Sequence, residues 1–276
     1  MPDQGRSSSL HAARRIDPAG LTGIWINTEL SPRGVARVVI EQRPEALGVW
    51  ALGAEERMHE GWGWTDAEAL YAASASGHAA VAFTALFMVE SMPVALHANV
   101  SKGLLIVSSF QTRFNSGNSD ARFVREFFRR ADSEMLESLQ QPGQAAARPV
   151  PSLSSVSTFV GTWRNTNSEG AGIVSVTFAA TVGGATMRVL GMDNSGIHDW
   201  ATTSVEIYTE VGTTSEPAKI KAHYGFELMD VLLHGWVKQG VLVLALFRSF
   251  KDESGGSNYF DREFFYRTDE HLKGVR

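Results

Sequence analysis

The chain has 276 residues, 43% of them apolar and 20% charged, which is the balance of a globular protein rather than a disordered one. Thirty acidic against 25 basic side chains leave a net charge of −5, which argues against nucleic acid or an anionic membrane as the main partner. There is no cysteine, so disulfide frameworks, thiolate metal sites and cysteine nucleophiles are excluded.

Residues 1–20 hold no apolar segment of signal-peptide length and read as a disordered, mildly basic tail. No apolar run approaches the ~20 residues of a spanning helix. With the missing cysteine, this gives a cytoplasmic expectation and no membrane partner.

From residue 21 the chain is read against itself. Gly23-Ile-Trp25-Ile-Asn27-Thr28 recurs as Gly161-Thr-Trp163-Arg-Asn165-Thr166, an offset of 138. The register continues through Gly34/Gly172, Leu52-Gly53/Leu190-Gly191 and Trp62/Trp200. It then slips to 137, through Glu90/Glu227, Leu96-His97/Leu233-His234 and Gly103/Gly240. It ends at Arg125-Glu126-Phe127-Phe128 against Arg262-Glu263-Phe264-Phe265. The halves are therefore 21–130 and 159–267.

In the first half, 34–40, 81–87, 94–100 and 104–114 are short apolar or alternating runs bounded by Gly, Pro, Asn and Ser, and read as strands. Trp62 and Trp64 fall among glycines, Gly61 and Gly63, and read as an irregular loop at a sheet end. Residues 131–158 form a separator: a short helix over Asp132–Leu139, then a Gln/Ala/Pro/Ser-rich linker. In the second half the strands are 173–178, 185–190, 220–226, 231–237 and 241–250, with Trp200 in the loop equivalent to that of Trp62. Residues 268–276 are a tail. Ser101-Lys102-Gly103 and Lys238-Gln239-Gly240 read as hairpin turns. The expected fold is all-β: two tandem antiparallel up-and-down β-barrels from an internal duplication, since closure removes exposed sheet edges.

The Gly-x-Trp that opens each half, at Trp25 and Trp163, followed by a β-meander, resembles the calycin or lipocalin-like group. The resemblance implies a Trp plugging one end of an eight-stranded barrel under an Arg from the last strand, here Arg125 or Arg129 and Arg262 or Arg267. The chain is also similar to uncharacterised bacterial and fungal proteins with G-x-W-x-N and a closing strand matched by Phe250-Lys-Asp252-Glu-Ser254, Ser257-Asn258-Tyr259 and Glu263-Phe264-Phe265. That likeness implies a fold and no activity.

Asn27/Asn165, Arg125/Arg262 and Glu126/Glu263 recur in both halves and read as structural. Glu90/Glu227 and His97/His234 recur at a seven-residue spacing. In a hairpin that spacing puts the His mid-strand and the Glu at the turn, so they are not direct partners. The eight histidines include no H-x-H or H-x-x-x-H pair, so no metal site and no cofactor are expected. No Gly-x-Ser-x-Gly, phosphate loop or dinucleotide fingerprint occurs.

Substitutions between the halves point to an asymmetric cavity: His223 for Leu86, Tyr224 for Phe87, Trp236 for Asn99 and Arg188 for Trp50. The first reading is a binder of a hydrophobic small molecule, with Trp62, Trp64, His97, Glu90, Arg188, Trp200 and Trp236 as lining residues. The alternative is a cyclase or isomerase of secondary metabolism, with Glu227, His234, His223 and Tyr224 as its acid–base set. A third is a protein-interaction module without a ligand.

Overall fold

The structure is a computed structural model that describes residues 16–54, 61–115, 118–132, 156–167, 172–182, 184–210, 219–251 and 256–268. The expected helix over 132–139 except Asp132, most of the linker, and residues 1–15 and 269–276 of the tails lie outside them. Of the expected N-terminal tail, Asp17 is held in place: its N–H donates to the His78 carbonyl at 2.6 Å and its carbonyl accepts from Ala80 N–H at 2.8 Å.

The described chain is all-β, with a single 3-10 turn at Val156–Thr158. The first half contributes β1 (Gly23–Asn27), β2 (Val35–Gln42), β3 (Leu47–Gly53), β4 (Gly63–Ala72), β5 (Ala80–Val89), β6 (Met92–Ser101), β7 (Leu104–Asn115) and β8 (Asn118–Arg130). The second contributes β9 (Gly161–Asn165), β10 (Gly172–Thr181), β11 (Gly184–Asp193), β12 (Gly196–Glu210), β13 (Lys219–Gly225), β14 (Met229–Lys238), β15 (Val241–Phe250) and β16 (Tyr259–Arg267). Each strand pairs antiparallel with the next in its half, and β1 pairs back to β8 and β9 to β16, so each half is a closed cycle of strand pairings. No helix among the described residues is long and apolar enough to cross a membrane.

The two hairpins read from Lys102-Gly103 and Gln239-Gly240 have positive φ at both central residues, 51° and 77°, then 52° and 78°. That is the turn whose twist matches the flanking strands. The expected loops around Trp64 and Trp200 are instead strands β4 and β12. Their glycines sit at the strand starts, with φ of 83° at Gly63 and 124° at Gly196. Ala201, with φ of 68°, lies where the β11–β12 register shifts, so the irregularity in β12 is a bulge.

Inward-facing residues fill one end of each cycle. Trp25 and Trp163 are buried there, and their indole N–H groups donate to Leu21 O at 2.8 Å and Phe159 O at 2.7 Å. Arg267 stacks over Trp163 at 4.6 Å. Over Trp25 the arginine is Arg130, at 4.7 Å, rather than Arg125 or Arg129. Arg125 is on the other face of β8, where it lies 4.5 Å over Trp236 of the second half.

The halves meet through their outward faces. His97 Nδ1 and His234 Nε2, 137 residues apart, are 2.7 Å from each other with their rings 9° from parallel. Each histidine touches both Phe110 and Phe247, again 137 apart. Tyr208 stands edge-on to Phe110, and Tyr71 edge-on to Phe247. Two parallel strand contacts flank this seam, Thr209↔Arg122 and Tyr259↔Ala72. The pattern is reciprocal, as in a twofold dimer.

Burial foremost, and then the Lys221 charge, pull His97 down to about 3; burial, His97 and Lys221 pull His234 well below its ordinary value. Lys221 is itself held by Glu206 at 3.1 Å. In the unfolded chain both histidines protonate near pH 6.5. Their contribution is therefore complete above that pH and falls below it, by at most about 1.4 kcal/mol per histidine per pH unit. Buried carboxyls such as Glu126, raised by burial, act in the opposite sense. Melting temperatures between pH 7.5 and 4.5 are expected to fall more steeply for the native chain than for His97→Gln/His234→Gln; equal slopes would exclude the pair as an acid-labile element.

Candidate binding cavity

At the other end of the second cycle the inward positions do not close. In β15 the inward series Leu242, Leu244 and Leu246 is followed by Arg248 and Phe250. In β16 the series back from Phe265 is Glu263, Asp261 and Tyr259. Of these, Arg248, Phe250, Asp261 and Tyr259, with Trp200 from β12 and with Phe226 and Met229 flanking the β13–β14 turn, border a cavity of about 650 Å³. That is the size range of small-molecule sites.

Arg248 is 5% exposed. Its Nη2 lies 3.2 Å from Asp261 Oδ2 and 3.4 Å from Glu263 Oε1. Its Nε, and Asp261 Oδ1, are buried without a partner. Glu263 also accepts from Asn165 Nδ2 at 2.6 Å and Ile173 N–H at 3.1 Å. Burial, with the neighbouring Asp261 charge, pushes the Glu263 carboxyl up to about 7; burial also raises Asp261. In the first half, Glu126 takes three backbone N–H groups, of Arg33, Gly34 and Val35, at 2.7–3.1 Å. Asn27 bonds the Val35 carbonyl at 2.7 Å. The recurring Asn and Glu are therefore structural hydrogen-bonding groups.

The rim is the β11–β12 hairpin. Asp193 Oδ1 accepts from Ser195 N–H and from its hydroxyl, at 2.7 and 2.6 Å, and lies 2.9 Å from His198 Nε2. Those bonds hold Asp193 at about 2, well below the usual carboxylate range. The same His198 nitrogen faces both Ser195 and Asp193, so it does not relay a proton from one to the other as a catalytic triad requires.

The sequence-derived candidates are scattered. Trp200 lines the cavity, and Tyr224 packs behind it, edge-on at 5.5 Å, with its hydroxyl donating to Met187 O at 2.8 Å. Arg188 faces outward and is paired with Asp199 at 2.6 Å. His97, His234 and Trp236 are at the seam. His223 is exposed, 3.4 Å from Asp230. Glu90 and Glu227 are exposed in equivalent turns. Trp62 packs edge-on against Phe87, and Trp64 is exposed under Arg43. Glu227, His223 and His234 are not brought together. Arg248 and Asp261 went unnoticed in the sequence, and Tyr259 was named there only as part of the closing-strand pattern, not as a site residue. A position-by-position comparison would have found the first two, because 137 residues earlier stand Gln111 and Val124. Among the described residues no group of three His, Cys, Asp or Glu is placed to hold a metal ion.

In comparison with known proteins, no protein family matches the chain and no curated protein matches it.

Gly191 lets the Trp200 ring lie against β11: a Cβ there would meet Trp200 Nε1 at 2.4 Å. Gly191→Ala is expected to displace the indole and to lower stability by about 1–3 kcal/mol through overpacking. An unchanged unfolding temperature and tryptophan emission would show that the ring has room.

Proposed function

We propose that the two cycles are tandem lipocalin-like up-and-down barrels, and that the second binds a hydrophobic small molecule. The observation that carries this reading is the cavity of about 650 Å³ at the unfilled end of the second cycle. Its walls are mostly apolar and aromatic, with a few polar groups convergent at depth, the usual make-up of a ligand site. Eight-stranded barrels have room for one such molecule. The absence of cysteine accords with a cytoplasmic protein.

A second reading, an isomerase or cyclase on the same scaffold, draws on Glu263. Burial pushes the Glu263 carboxyl up to about 7, and it is in contact with Arg248, which lines the cavity. Recovery of a bound molecule in altered form after incubation would favour it.

Titration of the intact chain with Nile red, a neutral apolar dye, tests the binding reading. Saturable one-site binding is expected, weakened roughly tenfold or more by Met229→Trp, which fills the cavity. Binding that is absent in the native chain, or unchanged in the variant, would remove the proposal.

A further inference from the structure

We infer that the outward row Ile24, Val39, Trp50 and Trp64 of the first half is a docking face, and that its occupant is the segment 135–139 of the same chain.

The row is set by register. Trp25, Val38 and Ala51 belong to the first core, so the alternate residues of β1, β2 and β3 point outward. Ile24 pairs with Val39, Val39 with Trp50, and Trp50 with Trp64, so the four side chains stand side by side across β1 to β4. The first three are half-buried. Trp64 is 45% exposed, with Arg43 over its ring at 4.7 Å. A row of large apolar side chains across four strands marks an interaction surface rather than a solvated one.

The second half has the same register and the opposite chemistry. At the equivalent positions stand Thr162, Thr177, Arg188 and Thr202, paired in the same order. The Thr162 and Thr177 hydroxyls are 3.1 Å apart, and Arg188 is bonded to Asp199. The cycle therefore forms without apolar side chains in this row, and their presence in the first half calls for something that covers them.

The occupant is indicated by where the described chain ends. β8 leaves its cycle at the first member of the row, where Ala131 N–H donates to the Ile24 carbonyl at 2.7 Å. Beyond it the sequence runs Asp132-Ser133-Glu134-Met135-Leu136-Glu137-Ser138-Leu139. Met135 and Leu136 stand four and three residues before Leu139, so all three share one face of a helix. From Ala131 the chain as far as Leu139 reaches up to about 26 Å, whereas four neighbouring strands span about 14 Å. A second copy of the chain would call for about 800 Å² on each partner. Four side chains in one row offer far less than that, and suit a segment of one or two helical turns.

Hydrogen exchange of the intact chain at pH 7, read by mass spectrometry, tests the inference. Amides of 135–139 are expected to exchange about tenfold more slowly in the native chain than in Val39→Thr/Trp50→Arg/Trp64→Thr. That variant carries the side chains that the second half already holds in the same register. Equal exchange in the two chains, whether fast or slow, overturns the inference. Sedimentation decides on the rival occupant: a native dimer that the same substitutions turn into a monomer assigns the row to a second copy and overturns it. Where the row variant does not fold, Met135→Ser/Leu136→Ser/Leu139→Ser, which alters no described strand, takes its place. It is expected to raise iodide quenching of the tryptophan emission by uncovering Trp50 and Trp64, and unchanged quenching overturns the inference.

Discussion

The packing of His97, Phe110, His234 and Phe247 at the seam decides which faces of the strands are available for anything else. Each histidine is buried and finds its hydrogen-bond partner in its counterpart from the other half, one ring donating and the other accepting. A buried imidazole without such a partner would cost on the order of 1–3 kcal/mol. The neutral state follows from the same burial. Because the contact is reciprocal, several residues it recruits from one half are matched in the other, Tyr71 with Tyr208, Phe123 with Phe260 and Arg125 with Arg262, while Asn99 and Trp236 occupy equivalent positions with different side chains. The outward faces of β4 to β8 and of β12 to β16 are thereby turned against each other, and the inward faces are left to form the two cores.

Within those cores the halves share their closed end and differ at the other. The closed end is built from repeated parts: a tryptophan bonded to the preceding turn, an arginine from the last strand stacked on it, and an Asn–Glu pair tying the start of the second strand to the last. These were among the residues that recur in the sequence. At the far end the second half places Arg248 and Asp261 where the first has Gln111 and Val124, so a duplicated scaffold carries an unduplicated polar group.

Much of the fold was legible. The repeat register, the two Gly-containing hairpins and the apolar runs all correspond to observed strands, because alternation and turn chemistry are local signals. β3 was given no range, and the Trp-containing parts of β4 and β12 were read as loops. β4 reads Gly-Trp-Thr-Asp-Ala-Glu-Ala-Leu-Tyr-Ala, and its small or polar residues hide the periodicity that its neighbours show. The site was less legible. Period two tells which side chains share a face, but not which face is inside. In β6 and β14 both faces are buried, one in the core and one at the seam, so His97, His234 and Trp236 read as cavity residues. Arg248 and Asp261 carry no motif or recurring pattern that marks them in the sequence. Only contact between elements far apart in sequence reveals that they converge.

That convergence has an energetic consequence. Burying a guanidinium beside two carboxylates removes three ionisable groups from much of their water, and the mutual attraction seldom repays the desolvation in full. Burial raises the Asp261 and Glu263 carboxyls, against the lowering influence of Arg248. The closed cycle does not require it, since the first half forms the same β7–β8 pairing with Gln111 and Val124 at the matching positions. Nor does the seam require it, because Arg248 and Asp261 lie on the opposite faces of β15 and β16 from Phe247 and Phe260. Glu263 has its counterpart in Glu126, so the part of the cluster that neither the closed cycle nor the seam needs is Arg248 with Asp261, and both line the cavity of the second half.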